Sequence, residues 1–138
     1  QAYGINAVPM ELQAAQIDIG MDHMGEWQTK RKAIHEYYVN QFANLPFEII
    51  QANHNCESNY HKFAFKTEQR DALHQHCKDN GIQALLHYTD NFSDYFGSDK
   101  VFPNTEVFCK SVITIPNHAW MTDVEIEIVA NKIKEFYQ

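Results

Sequence analysis

Apolar residues Leu12, Ala15, Ile19, Trp27, Ile34, Tyr37, Tyr38 and Phe42 recur mostly at three- and four-residue steps, and that spacing stops at Pro46. Such steps place side chains on one face of an α-helix. A helix beginning near Pro9 and ending before Pro46 is therefore predicted, as one long helix or as two joined at a bend where the pattern breaks between Gly20 and Gly25. Pro9 marks the start, because its missing N–H has no intrahelical partner in a first turn, and the following Glu11-Leu12-Gln13-Ala14-Ala15-Gln16 is rich in helix formers.

Beyond Pro46 the pattern changes to short strand-like runs. Phe47-Glu48-Ile49-Ile50 is one, and Tyr60-His61-Lys62-Phe63-Ala64-Phe65, with its rings mostly at alternate positions, is a second; the polar segment Gln51 to Ser58 separates them. Thr67 can cap a helix from Glu68 to about Asn80, closed by Gly81, which supplies the left-handed backbone a helix end favours. Ile82 to Leu86 is predicted to return as a strand, and Asp90 to Pro103 has the composition of an irregular loop. A short helix from Asn104 to about Lys110 and a strand at Val112-Ile113-Thr114-Ile115 follow. Thr122-Asp123-Val124-Glu125 is a capping box for a last helix whose apolar stripe is Ile126, Val129, Ile133, Phe136 and Tyr137.

This order predicts an α+β fold, a small and largely antiparallel sheet with helices on one face. At 138 residues the chain has material for one modest core, so it is read as a single domain, 1–138, with a helical region 1–45 and a sheet layer 46–138. With 18 acidic against 11 basic residues the formal charge is −7, which argues against a nucleic-acid partner, since phosphate backbones demand clustered Lys and Arg. No apolar run approaches the roughly 18 residues that a membrane span requires. Cys56, Cys77 and Cys109 are odd in number and lack metal-type or redox-type spacing, so a reducing, cytoplasmic setting is expected. Opening on Gln1-Ala2-Tyr3-Gly4-Ile5-Asn6, the sequence reads as though it starts within a longer protein.

Four separated stretches resemble the C-terminal third of the DegT-type family, pyridoxal-phosphate aminotransferases acting on nucleotide-linked keto sugars. Gly4-Ile5-Asn6 with Glu11-Leu12-Gln13-Ala14-Ala15 is similar to the start of the family's long interdomain helix, and Tyr60-His61-Lys62-Phe63-Ala64-Phe65 to one of its strands. Arg70-Asp71-Ala72-Leu73, Asn80-Gly81-Ile82 and His87-Tyr88 follow the family's most specific passage. Pro103-Asn104-Thr105-Glu106, Ile115-Pro116 and Met121-Thr122-Asp123-Val124-Glu125 resemble its C-terminus. Many relatives carry Arg-Met where Val8-Pro9 stand here, so a phosphate contact from that Arg is missing.

The resemblance implies the C-terminal small domain of a fold-type-I pyridoxal-phosphate transferase. Its expected partners are the large N-terminal domain of the same protein, a second subunit in a homodimer, and a nucleotide sugar. The reaction needs a lysine that forms a Schiff base with the cofactor and an Asp at the pyridine nitrogen. In the family both precede the region resembled, and none of the lysines present matches the Schiff-base motif, so no catalytic residue is assigned and the chain alone is expected to be inactive. By resemblance Asn6 reaches the cofactor phosphate of the partner subunit, while His87, Tyr88 and His61 face the sugar nucleotide. The family also implies glutamate as amino donor and amino-sugar synthesis for lipopolysaccharide or another surface glycoconjugate. A Pro at position 9 is shared with some enzymes that aminate a dTDP-linked 4-keto-6-deoxyhexose.

Simpler readings stand beside these. Asn6 suits a turn, His87-Tyr88 a strand end, and His61 an ordinary strand position. His74, His76, Cys77 and His118 are conceivable as a zinc site, but His76 points away from the helix face shared by His74 and Cys77, and no second pair has ligand spacing. A non-enzymatic binding or interaction module derived from the same domain is the alternative function. Exposed apolar surface along the Leu12 to Phe42 helix predicts self-association.

Overall fold

The computed structural model describes residues 10–91, 93, 96, 97 and 100–138. Helices α1 (Glu11–Asp22) and α2 (Met24–Gln41) come first, followed by strands β1 (Glu48–Ile49) and β2 (Phe63–Lys66) and helix α3 (Arg70–Asp79). Helix α4 (Pro103–Ser111), strand β3 (Val112–Ile115) and helix α5 (Asp123–Phe136) complete the chain. The strands form an antiparallel sheet in the order β1-β2-β3, with Glu48 opposite Lys66 and Phe63 opposite Ile115. An α+β domain with its helices on one face of a small antiparallel sheet is thus what the sequence builds.

Alternation decides which sheet face is covered. Phe63 and Phe65 on β2, with Ile113 and Ile115 opposite them on β3, are buried on the helix side. Onto them pack Ile34 and Tyr38 of α2, Phe42 just after it, Leu73 and Cys77 of α3, and Ile126, Val129, Ala130 and Ile133 of α5. The aromatic members interlock, with Tyr38 stacked on Phe42 at 5.5 Å and edge-on to Phe63 at 5.2 Å. Each large side chain so buried contributes about 1.5–3 kcal/mol of transfer free energy. Lys30 pairs with Asp123 at 2.9 Å and Lys134 donates to Gln41 at 2.8 Å, tying α2 to α5.

The break in the helical pattern becomes a real boundary. α1 ends at Asp22 and α2 starts at Met24, with His23 between them. The two differ in burial: α1 has no buried residue, and Leu12 and Ile19 are 68% and 64% exposed. Pro9, expected at the helix start, lies outside the described residues, as do residues 92, 94, 95, 98 and 99 of the expected loop.

Three expectations need correction. The strand predicted from Tyr60 begins only at Phe63, because Tyr60 adopts φ 51, a left-handed conformation that no ladder accommodates. Ile82 to Leu86 keeps the alternation of a strand, with Ile82 and Ala84 buried and Gln83 and Leu85 exposed, yet contributes a single bridge, Leu85 to Thr114. A tight turn, in which the Ala84 N–H donates to the Ile82 carbonyl at 2.9 Å, bends the segment away from further pairing. Thr67 does not cap α3 directly: its hydroxyl accepts from the Gln69 N–H at 3.2 Å, one turn early, and α3 starts at Arg70.

The other local signals hold. Gly81 sits at φ 71 after α3, and Thr122 with Glu125 forms the reciprocal box at the start of α5.

Candidate functional site

The sheet face opposite the helices carries Ala64 and Thr114, which are paired across β2 and β3. Beside it opens a cleft of about 540 Å³ bounded by the segment before β2, the end of β3, the turn after α3 and the first turns of α5. His61, Lys62, His87, Thr114, Asn117, His118 and Glu125 are among the polar residues that line it. His61 and His87 are thus brought to one cleft. Tyr88 is not among its lining residues: it is exposed, with its ring edge-on to His87 at 5.5 Å. Asn6 lies outside the described residues.

Local structure sets each of these side chains. The left-handed turn at Tyr60 swings His61 and Lys62 off the line of β2, and the buried Asn117 fixes that turn by donating from Nδ2 to the Tyr60 carbonyl at 3.0 Å. Asn117 follows Pro116, which ends β3, so the strand terminus and the cleft wall are held by one bond. His87 comes from the chain that runs past the outer edge of β3, where Leu85 and Thr114 exchange backbone hydrogen bonds at 2.9 Å. Nδ1 of His87 lies 3.0 Å from Oγ1 of Thr114.

Electrostatics divide the lining. Lys62 makes one part of the wall basic on a chain whose net charge is −7, and His61 and His118 add ring nitrogens to the lining. Burial, then the neighbouring Lys62 and His61, hold the His87 imidazole below its usual pKa, so it is neutral at pH 7. Glu125, the acid in this lining, is bonded to the Thr122 N–H at 2.7 Å and hydroxyl at 2.8 Å, and these bonds keep its carboxyl below the usual range. The cleft can therefore hold an anionic group at its basic wall and a neutral hydrogen-bonding group at His87.

Among the described residues no three His, Cys, Asp or Glu side chains converge as metal ligands. His76 donates from Nε2 to the Lys132 carbonyl at 2.9 Å, and Cys77 is fully buried, its thiol pushed up to about 11 by that burial.

Comparison with known proteins agrees with this architecture. The sequence profile of the DegT/DnrJ/EryC1/StrS aminotransferase family matches residues 1–134, and the chain belongs to that family. Among curated relatives, dTDP-3-amino-3,4,6-trideoxy-alpha-D-glucose transaminase of Streptomyces venezuelae is 28% identical over 120 residues, which is 82% of this chain and 32% of that protein. The erythromycin biosynthesis sensory transduction protein EryC1 of Saccharopolyspora erythraea is also 28% identical over 120 residues, covering 82% of this chain and 33% of the relative. The chain therefore spans about a third of the length of these relatives. The crystal structure of S. venezuelae DesV in complex with a ketimine intermediate superposes with a TM-score of 0.90 at 26% identity, covering 100% of this chain and 39% of that one.

Pyridoxal phosphate, the cofactor the resemblance implies, needs a lysine for its aldehyde and an acid for its ring nitrogen. The cleft offers Lys62, but Glu125 is engaged by Thr122, so these residues do not form a complete cofactor site by themselves. Sequence reasoning overlooked Thr114, Asn117 and Lys62 as parts of the cleft. For Thr114 a signal existed, a hydroxyl inside the otherwise apolar strand Val112–Ile115.

Proposed function

We propose that this chain is the C-terminal small domain of a cytoplasmic, pyridoxal-phosphate-dependent transaminase that moves an amino group from glutamate to a nucleotide-linked keto sugar. The amino sugar formed would serve lipopolysaccharide or another surface glycoconjugate. In this reading the large N-terminal domain of the same protein holds the cofactor and its lysine, and the protein works as a homodimer. The present chain supplies the sugar-nucleotide wall, and Asn6 reaches toward the cofactor phosphate. A dTDP-linked 4-keto-6-deoxyhexose is the substrate type that Pro9 favours.

The observation that carries the reading is the two-part cleft. Nucleotide sugars join a polyanionic diphosphate to a neutral, hydroxyl-rich ring. Lys62 offers charge to the first, His61 next to it in the chain adds a ring hydrogen bond, and the neutral His87 offers a hydrogen bond to the second. Tyr88, exposed beside His87, adds an aromatic surface at the rim.

The test is to express the chain with and without its upstream coding region, incubate each with pyridoxal phosphate, reduce with borohydride and map the adduct by peptide mass. A single stoichiometric adduct on a lysine outside these 138 residues is the expected result. An adduct on Lys62 or any other lysine of this chain would overturn the assignment of the cofactor to another domain.

A further inference from the structure

The Thr114 hydroxyl lies between two groups and has one proton to give. Oγ1 is 3.0 Å from the Leu85 carbonyl oxygen and 3.0 Å from Nδ1 of His87. The hydroxyl donates to the Leu85 carbonyl, which also accepts the Thr114 N–H at 2.9 Å, and with its proton placed there Oγ1 is left to accept from His87. Nδ1 then carries the imidazole proton. In the neutral ring this leaves Nε2 with a free lone pair, and Nε2 has no hydrogen-bond partner among the described residues, although His87 lines the cleft.

Resting on the sugar-nucleotide reading given above, we infer that Thr114 is a positioning residue that fixes the Nδ1–H tautomer of His87 and so presents Nε2 to the cleft as an acceptor. An acceptor favours the hydroxyl-bearing, neutral part of a ligand and disfavours phosphate or carboxylate, which are acceptors themselves. Lys62, in the lining of the same cleft, can only donate and is suited to the opposite choice. Orientation of a nucleotide sugar thus follows from one hydroxyl proton: the diphosphate is drawn to the basic wall and a sugar O–H to His87. The device is held in place by the backbone, because the Leu85–Thr114 bridge that aligns the carbonyl also sets the distance to His87.

Long-range proton–nitrogen correlation of the imidazole rings, recorded on the nitrogen-15-labelled chain at neutral pH, reads the tautomer directly. The expected result is a protonated Nδ1 and an unprotonated Nε2 for His87. Thr114→Val should move His87 toward the Nε2–H form, and Thr114→Ser, which keeps the hydroxyl, should restore the wild-type pattern. A wild-type His87 already in the Nε2–H form overturns the inference even if Thr114→Val fails to fold, and so does a folded Thr114→Val with an unchanged tautomer. Titration with dTDP-glucose should then shift Nε2, while dTDP alone should leave it in place and move the His61 resonances. A shift of Nε2 by dTDP alone overturns the selection of the hydroxyl-bearing part. Silence toward both ligands, with the tautomer as expected, counts against the sugar-nucleotide wall and leaves the role of Thr114 supported.

Discussion

Tyr38 is fully buried, and its hydroxyl has no hydrogen-bond partner among the described residues. Stranding a polar atom in this way costs about 1–3 kcal/mol. Burial also drives its pKa up, the sign of a site that cannot solvate charge. Tyr38→Phe keeps the ring stacked on Phe42 and removes the orphan, so we expect a variant at least as stable as wild type and up to about 1 kcal/mol better, as measured by urea denaturation. Histidine gives the pH response. His35, held below its ordinary pKa by burial against the opposing pull of Glu36, and His87, lowered by burial and by Lys62 and His61, both remain neutral in the folded chain where the unfolded chain takes up protons. Their contribution is fully present above pH about 6.5 and is lost as pH falls below it. Denaturation midpoints should accordingly decline between pH 7.5 and pH 5, and His87→Asn should flatten part of that decline. Gly81 has open space around its missing Cβ but a φ of 71, so Gly81→Ala should cost about 1 kcal/mol through backbone conformation alone.

Boundaries set by local chemistry are legible in the sequence, as at the Thr122–Glu125 box and the strand Val112–Ile115, and boundaries set by distant contacts are not. The Thr122–Glu125 box lies within one turn, and the structure reproduces it with the Glu125 N–H donating to the Thr122 hydroxyl at 3.3 Å. Removing that cap with Thr122→Ala should lower stability by about 1 kcal/mol in the same denaturation assay. Ile82 to Leu86 shows the opposite case. Its apolar, strand-like character is legible in the sequence, but whether it joins a sheet depends on the edge of β3, nearly thirty residues later, and on the turn at Ala84. Tyr60 reads as a strand residue because nothing in an aromatic side chain announces a left-handed backbone. For the cleft, His61 and His87 follow from family resemblance, while Thr114 offers only the hint of a hydroxyl inside an apolar strand. Its partner lies 27 positions away, a relation that no spacing rule reveals.

At the scale of the molecule, burial is distributed unevenly. The sheet, α2, α3 and α5 share one core, whereas α1 presents Met10, Leu12, Ile17, Ile19 and Met21 to solvent around a helix with nothing buried. Apolar residues gathered in that way promote association. The isolated chain should therefore form species larger than a monomer in light scattering, and replacing Leu12 and Ile19 with Glu should return it to a monomer without changing its denaturation midpoint. A twelve-residue helix whose side chains lie outside the core has little beyond its own hydrogen bonds to keep it wound, and helices of that length are marginal in water. Its peptide protons should consequently trade with deuterium within seconds in a monomeric variant, while those between β2 and β3 wait for the whole chain to open. Slowing of the α1 protons would then mark the moment when another surface closes over it, making that helix a built-in reporter of assembly.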